Sequence, residues 1–111
     1  MSTNTETKDT YNGWTNYETW VTKLWLDNDQ GTQEYWLSVA SELSSPNSPE
    51  YIAEKAIQVQ RLSERLADEH EEASPALDGL WADLLRAVLT TVNWDEIAAS
   101  LIDDAEEINN A

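Results

Sequence analysis

The sequence predicts an all-α protein that folds as a compact bundle of about five helices. Apolar residues recur at helical spacing in five segments, and no segment alternates apolar and polar residues as a strand would. Two of these segments begin with a capping-box pattern, in which a polar N-cap residue is followed three positions later by glutamate. At 111 residues the chain can form one hydrophobic core but is too short for two. We therefore expect a single helical domain over residues 13–109, preceded by a flexible polar tail over residues 1–12.

The first helix is predicted by the densest aromatic stretch of the chain, residues 11–26. Thr15 as N-cap and Glu18 form the capping box that predicts its start. The polar run 27–31 predicts its end, with Gly31 suited to a left-handed C-cap. So dense an aromatic cluster predicts either a core that fixes this helix or a surface that binds a partner. The apolar face of this helix consists of Tyr17, Trp20, Val21, Leu24 and Trp25.

The next two helices are predicted from a polar cap and from a proline. Thr32 is expected to cap the second helix, which ends in a loop over residues 44–49. Within that loop Ser48 and Pro49 match a cap followed by proline at the first helical position. The third helix is therefore expected to extend from Pro49 to Glu71. The apolar faces are Tyr35, Trp36, Val39, Ala40 and Leu43 in the second helix, and Ile52, Ala56, Val59, Leu62 and Leu66 in the third.

The fourth helix, opened by Ser74 and Pro75, has the most hydrophobic face of the chain, so we expect it to be the central element. That face consists of Leu77, Leu80, Trp81, Leu84, Leu85, Val88 and Leu89. The fifth helix is expected to begin at Asn93, which forms the second capping box with Glu96. The core predicted from all five faces includes Trp20, Leu24, Trp36, Leu80, Trp81, Leu84, Val88, Ile97 and Leu101.

The six tryptophans divide into two classes by their position. Trp14 and Trp94 flank the two capping boxes, where an apolar residue can pack against the first helical turn. We expect these two to be partly exposed and include them in a candidate interaction surface. The remaining four lie on apolar faces and are expected in the core: Trp20, Trp25, Trp36 and Trp81.

The sequence contains no recognisable pattern for catalysis or metal binding. There is no cysteine, which excludes disulfides, thiolate metal sites and cysteine nucleophiles. A calcium-loop-like start at Asp27 has Thr32 where that loop needs glycine and Ser38 where it needs glutamate, so a solvated turn is the better interpretation. The single histidine, His70, has no nucleophile or second histidine beside it in sequence. We therefore expect that the protein is not an enzyme and that it binds no cofactor and no metal ion.

The formal net charge of −16, from 22 acidic and 6 basic residues, argues against direct binding to nucleic acid or to anionic membranes. A polar N-terminus and the lack of a long apolar run predict a soluble, cytoplasmic protein. Three explanations of the acidity compete. The first is adaptation to a cytoplasm of molar salt, the second is mimicry of nucleic acid, and the third is simple solvation of a helical interaction module. Acidic residues occur in every predicted helix, which favours the first.

Two motifs resemble those of a family of small uncharacterised proteins from phages, plasmids and archaea. The opening motif is Gly13-Trp-Thr-Asn-Tyr-Glu-Thr-Trp20, which continues to Asp29 and Tyr35-Trp36, and the closing motif is Val92-Asn-Trp-Asp-Glu-Ile-Ala98. The resemblance covers both ends of the domain but not residues 44–72. It implies a domain of unknown function, sometimes carried on mobile elements, with no assigned catalytic residues. A mobile-element context favours a regulatory or anti-defence role.

The leading functional hypothesis is a non-enzymatic protein-interaction or regulatory module of a halophile or mobile element, which binds a protein partner or a second copy of itself. The alternative is an anti-defence inhibitor that mimics nucleic acid, of the antirestriction or anti-CRISPR type. Its acidic surface requires the first and last helices to be neighbours. The candidate residues of that surface are Asp27, Asp29, Glu34, Asp95, Asp103, Asp104, Glu106 and Glu107.

Overall fold

The computed structural model describes residues 10–110, and these contain five α-helices. In chain order they are α1 (Tyr17–Asn28), α2 (Gln30–Ser44), α3 (Lys55–Ala73), α4 (Gly79–Thr91) and α5 (Trp94–Asn110). Within the described residues, β geometry is limited to an isolated bridge between Tyr11 and Trp14. The predicted all-α bundle of about five helices is confirmed. Most of the tail predicted over residues 1–12 lies outside the described residues.

The hydrophobic core lies where α5 packs against α2 and α3. On α5 the enclosed side chains follow a wide helical face that includes Ile97, Leu101 and Ile102. Leu62 and Leu66 of α3 are completely enclosed on the opposite side. Burying each such side chain stabilises the fold by about 1.5–3 kcal/mol. Because α5 buries side chains against both α2 and α3, it is the central element of this fold.

The prediction that the fourth helix is central was wrong, because none of the described residues of α4 is buried. Leu80 and Trp81 are each 65% exposed, and Leu84 and Val88 are each 46% exposed. The hydrophobicity of a helix face indicates that its burial would be favourable. It does not specify which element, of the same chain or of another, buries it. Here α2 and α3 enclose the apolar face of α5, and the outer face of α4 is left in water.

The remaining core predictions are partly confirmed. Trp36, Ile97 and Leu101 are buried, as expected. Trp20 is half-buried. Two α1 residues are not in the core: Leu24 is exposed, and Trp25, expected in the core, is 71% exposed.

The caps of the first two helices differ from the predicted ones, because another polar residue nearby serves as the cap. Asn16, not Thr15, caps α1, and its Oδ1 accepts a 2.8 Å hydrogen bond from the backbone N–H of Thr19. The extended residue Asp29 separates α1 from α2, and its carboxylate accepts from the N–H of Thr32 at 2.9 Å. Thr32 is therefore not the cap of α2, and the run 27–31 does not end in a left-handed glycine.

The two proline-based starts were also wrong. Pro49 belongs to a connection that is pinned by Ile52, whose N–H donates to the Leu43 carbonyl at 2.9 Å, and α3 begins only at Lys55. Ser74 and Pro75 likewise precede an irregular segment, and α4 begins at Gly79. Gly79 has a φ of +60°, a conformation that favours glycine.

Candidate functional site: an uncovered apolar face on α4

Five uncharged residues form a continuous solvent-facing surface on α4, which we call the apolar stripe. Their spacing of i, i+1, i+4, i+7 and i+8 places all of them on one helical face. The exposed fractions amount to an apolar area on the order of 500 Å², within the range of the largest patches on monomeric proteins, which are often functional. The apolar stripe consists of Leu80, Trp81, Leu84, Ala87 and Val88.

The opposite face of α4 does not pack tightly on the bundle either. A groove of about 460 Å³ separates it from the C-terminal part of α3. Ala67 and Glu71 of α3 line one wall, Leu85 and Arg86 of α4 line the other, and Trp94 also lines the groove. Since α4 is separated from the core along this groove, its position depends strongly on how its ends are held.

The C-terminal end of α4 is held by side chains that satisfy its free carbonyl groups. The Nδ2 of Asn16 donates to the Thr91 carbonyl at 2.9 Å, and the indole N–H of Trp94 donates to the Leu89 carbonyl at 3.2 Å. The last carbonyls of a helix have no partners within the helix, so these two bonds fix both its end and its direction. In the position that these bonds fix, the apolar stripe of α4 faces solvent.

The two sequence motifs bind each other through a hydrogen-bond network that we call the clasp, formed by Thr15, Asn16, Thr19, Asn93 and Glu96. The Thr15 N–H donates to Glu96 Oε1 at 2.9 Å, and the Asn93 Nδ2 donates to Thr15 Oγ1 at 3.2 Å. Asn93 accepts from the N–H of Glu96 at 3.1 Å, which confirms Asn93 as the cap of α5. The Glu96 carboxylate instead accepts from Thr15, across 81 residues of sequence. The clasp assigns a structural role to both motifs.

Trp14 and Trp94, the two aromatic candidates for an interaction surface, are half-buried and pack against the core. The Trp94 ring packs at a tilt against His70 with ring centres 5.1 Å apart, and His70 stacks on Trp36 at 5.8 Å. The His70 Nδ1 lies 2.8 Å from the Leu66 carbonyl. These contacts give His70 and Trp94 a packing role.

Most of the acidic candidates are engaged with polar partners within the chain. Lys55 Nζ binds Asp103 at 2.6 Å and Glu106 at 3.2 Å. Glu34 accepts a 3.1 Å hydrogen bond from the Gln30 side chain, and Asp29 caps α2. Hydrogen bonds from Thr32 hold the pKa of Asp29 below its ordinary value.

Four of the candidates on α1 and α5 lie near one another where these helices are in contact: Asp27, Asp103, Asp104 and Glu107. Partial desolvation, the largest cause, raises the pKa of Asp104, and Lys23 opposes this rise. The negative charges of Asp27, Glu107 and Asp103 raise the pKa of Asp104 further. Asp95 lies at the opposite end of α5, and Glu34 is on α2. The acidic candidates therefore form one local cluster and several separate positions.

A family of unknown function, DUF7249, matches residues 7–111. The chain is a member of DUF7249. The match extends through residues 44–72, which carry neither of the two motifs. No curated protein and no solved structure is significantly similar to the chain.

The site that sequence reasoning missed in this DUF7249 member is centred on Lys23. Its side chain is buried, and its Nζ binds the two carboxylate oxygens of Asp27 at 2.8 and 3.0 Å. The i, i+4 spacing of Lys23 and Asp27 was the available signal. Because Lys23 also lies near Asp104, it reduces the repulsion where α1 meets α5.

Among residues 10–110, no three His, Asp or Glu side chains are grouped so that they could hold a metal ion. In the same range no helix combines the length and hydrophobicity that a membrane span requires. The apolar stripe is an exposed apolar feature of the described residues.

Proposed function

We propose that this DUF7249 chain is a non-enzymatic protein-interaction module, and that the apolar stripe of α4 is its binding face. The observation that carries the proposal is the exposure of Leu80, Trp81, Leu84 and Val88 on one helical face. At about 25 cal/mol per Å², covering on the order of 500 Å² makes roughly 12 kcal/mol available, of which binding retains only a part. A partner can therefore gain affinity from this face.

The chemistry of the stripe supports binding to protein. Trp81 shares this exposed face with Leu80 and Leu84, and tryptophan is one of the residues that are enriched at interface hot spots. The charged residues of α4, Asp83 and Arg86, lie outside the stripe, and interface cores are depleted of charge in the same way. A regulatory role in a halophile or on a mobile element is consistent with such a module.

Trp25 provides a matched control for testing this function, since it is an equally accessible tryptophan on α1. Wild-type protein, Trp81→Glu and Trp25→Glu would each be used to capture partners from a native-like lysate, supplemented with a differently tagged copy of the chain, at 0.15 M and 2 M KCl. We expect a partner that Trp25→Glu retains and Trp81→Glu loses. Equal retention by both variants would contradict the proposed face. Hydrolytic or transfer activity that depends on a single carboxylate would contradict the non-enzymatic function.

We also propose that the acidity serves a cytoplasm of molar salt. Support comes from the distribution of carboxylates over all five helices, where salt can screen the repulsion that they cause. Three lysines and no cysteine are consistent with a halophilic origin. This proposal concerns the medium and not the partner, and it is independent of the apolar stripe.

A nucleic-acid mimic with an anti-defence role is the second candidate function. It is favoured by the cluster of Asp27, Asp103, Asp104 and Glu107 where α1 meets α5. Binding to a basic DNA-binding protein would then compete with DNA and weaken steeply as salt rises. Paired neutralisation of Asp104 and Glu107 should abolish that competition, whereas Trp81→Glu should leave it unchanged.

A further inference from the structure

We propose that the apolar stripe is covered by α4 of a second copy of this chain, packed antiparallel about a twofold axis at Leu84. This inference rests on the proposed function, because it assigns an occupant to the same face. Three properties of α4 support a second copy: its net charge, the order of large and small residues along the stripe, and the area that the stripe offers.

The net charge of α4 makes it the helix on which two copies meet with least repulsion. One aspartate, Asp83, and one arginine, Arg86, cancel within α4, whereas α5 carries six acidic residues and no basic one. Among the five helices only α4 has no net charge. Two chains that each carry a charge of −16 repel at most surfaces, and contact through an uncharged stripe keeps their carboxylates furthest from the interface.

The residue sizes along the stripe are complementary when two stripes pack antiparallel. The large residues Leu80 and Trp81 lie in the N-terminal half of the stripe. Ala87 lies seven residues after Leu80, and Val88 lies seven residues after Trp81, which is the heptad spacing of packed helices. Antiparallel pairing about Leu84 places Trp81 against Ala87 of the second copy and Leu80 against Val88 of the second copy. Each large side chain then meets a small one, and the two Leu84 side chains meet on the axis.

The area of the stripe is sufficient for a dimer of moderate affinity. Two stripes together offer on the order of 1,000 Å², which is the lower limit for a specific interface. The affinity of such a dimer should increase with salt, because screening shortens the reach of the repulsion to about 3 Å at 1 M while apolar contact is preserved. A basic partner bound by charge would show the opposite salt dependence.

The first experiment is sedimentation equilibrium of the full chain at 0.15 M and 2 M KCl. We expect a monomer–dimer equilibrium whose dissociation constant falls as salt rises. Trp81→Glu and Leu84→Glu should each raise that constant by at least about tenfold, since a charge inside an apolar interface costs 1.4 kcal/mol or more. Trp25→Glu, the exposed control, should not change it. Unchanged helical dichroism would show that the variants remain folded.

The second experiment tests the antiparallel geometry with single cysteines, which is straightforward because the chain has none. A disulfide requires Cα atoms within about 7 Å, so Leu84→Cys on the axis should form a covalent dimer on mild oxidation. Leu80→Cys should not, because antiparallel pairing separates the two copies of position 80 by about 12 Å along the helix axis. Crosslinking of both variants would indicate parallel pairing and overturn the proposed geometry. Ile108→Cys, exposed on α5, is the control for random collision.

The outcomes separate this inference from the proposed function. A chain that is monomeric at both salt concentrations, yet binds another protein through Trp81, would overturn the dimer and keep the interaction module. A monomer with no Trp81-dependent partner would overturn both. A dimer that survives Trp81→Glu and Leu84→Glu would overturn the assignment of the interface to α4.

Discussion

The backbone N–H of Asn93 donates a 2.8 Å hydrogen bond to the side-chain oxygen of Thr19, a residue with no exposed surface. The same hydroxyl donates to Asn16 Oδ1 at 2.6 Å. One buried oxygen therefore joins the start of α1 to the connection between α4 and α5. Removal of this oxygen leaves the backbone N–H of Asn93 without its acceptor, while Asn16 Oδ1 still accepts from the N–H of Thr19.

Thr19→Val should lower the free energy of unfolding by about 1–3 kcal/mol, because the partly buried N–H of Asn93 loses its acceptor while the side-chain shape is preserved. Thr22→Val is the matched control, since the Thr22 hydroxyl bonds only to the Glu18 carbonyl within its own helix. We expect the control to change stability by less than about 0.5 kcal/mol. Urea unfolding measures both variants, and equal losses would argue against a special role for the clasp.

Leu66→Ala and Leu84→Ala make the same chemical change on a buried and an exposed helix face. Leu66 is completely enclosed, so its truncation should cost about 2–5 kcal/mol. Leu84 faces solvent on α4, so in the monomer its truncation should cost less than about 1 kcal/mol. Unfolding at low protein concentration compares the two, and a larger loss for Leu84→Ala would place α4 in the core after all.

The melting temperature of the wild-type protein should rise strongly between 0.1 M and 2 M KCl. A formal net charge of −16 creates repulsion within a small domain, and salt screens that repulsion. Differential scanning calorimetry at constant pH measures the effect. A melting temperature that is independent of KCl would leave the acidity in need of another explanation.

Asp104→Asn should raise the melting temperature at pH 7 and low salt. Desolvation and neighbouring carboxylates raise the pKa of Asp104 in the folded state, so its ionised form is disfavoured there relative to the unfolded chain. The benefit of the substitution should shrink at 2 M KCl and disappear when acid protonates the wild-type carboxyl. Glu72→Gln, an exposed change on α3, should give a smaller gain. An equal gain would indicate that only the total charge matters.

Glu69→Gln should lower stability at neutral pH but not in acid. The hydrogen bond from Arg65, with a further bond from Tyr35, holds the pKa of Glu69 below its ordinary value. A depressed carboxyl pKa stabilises the fold above the unfolded value, about 4.3, and this contribution is lost as pH falls through the folded value. Wild-type and Glu69→Gln stabilities measured from pH 7 to pH 3 should therefore converge. A constant difference would indicate that the ionised form is not what matters.

The helices could be predicted from the sequence because their periodicity is local, but their placement could not. Thr15 and Asn16 are both competent caps, and the choice between them depends on Glu96, which is 81 residues away. Lys23 is buried and lies near Asp104 of α5, a proximity between two helices that a local sequence pattern does not specify. Trp81 has the same apolar character whether it is covered by its own chain or by another one, so its exposure could not be inferred from the pattern.

The central position of α5 also affects how the chain folds during synthesis. A ribosome makes the protein from its N-terminus, so α2 and α3 emerge before the helix on which they pack. The clasp is equally late, because its acceptor on Thr19 is made long before Asn93. A nascent chain that stalls before α5 would expose the apolar faces of α2 and α3 and would be prone to aggregation. The fold therefore becomes stable only after α5 has been made.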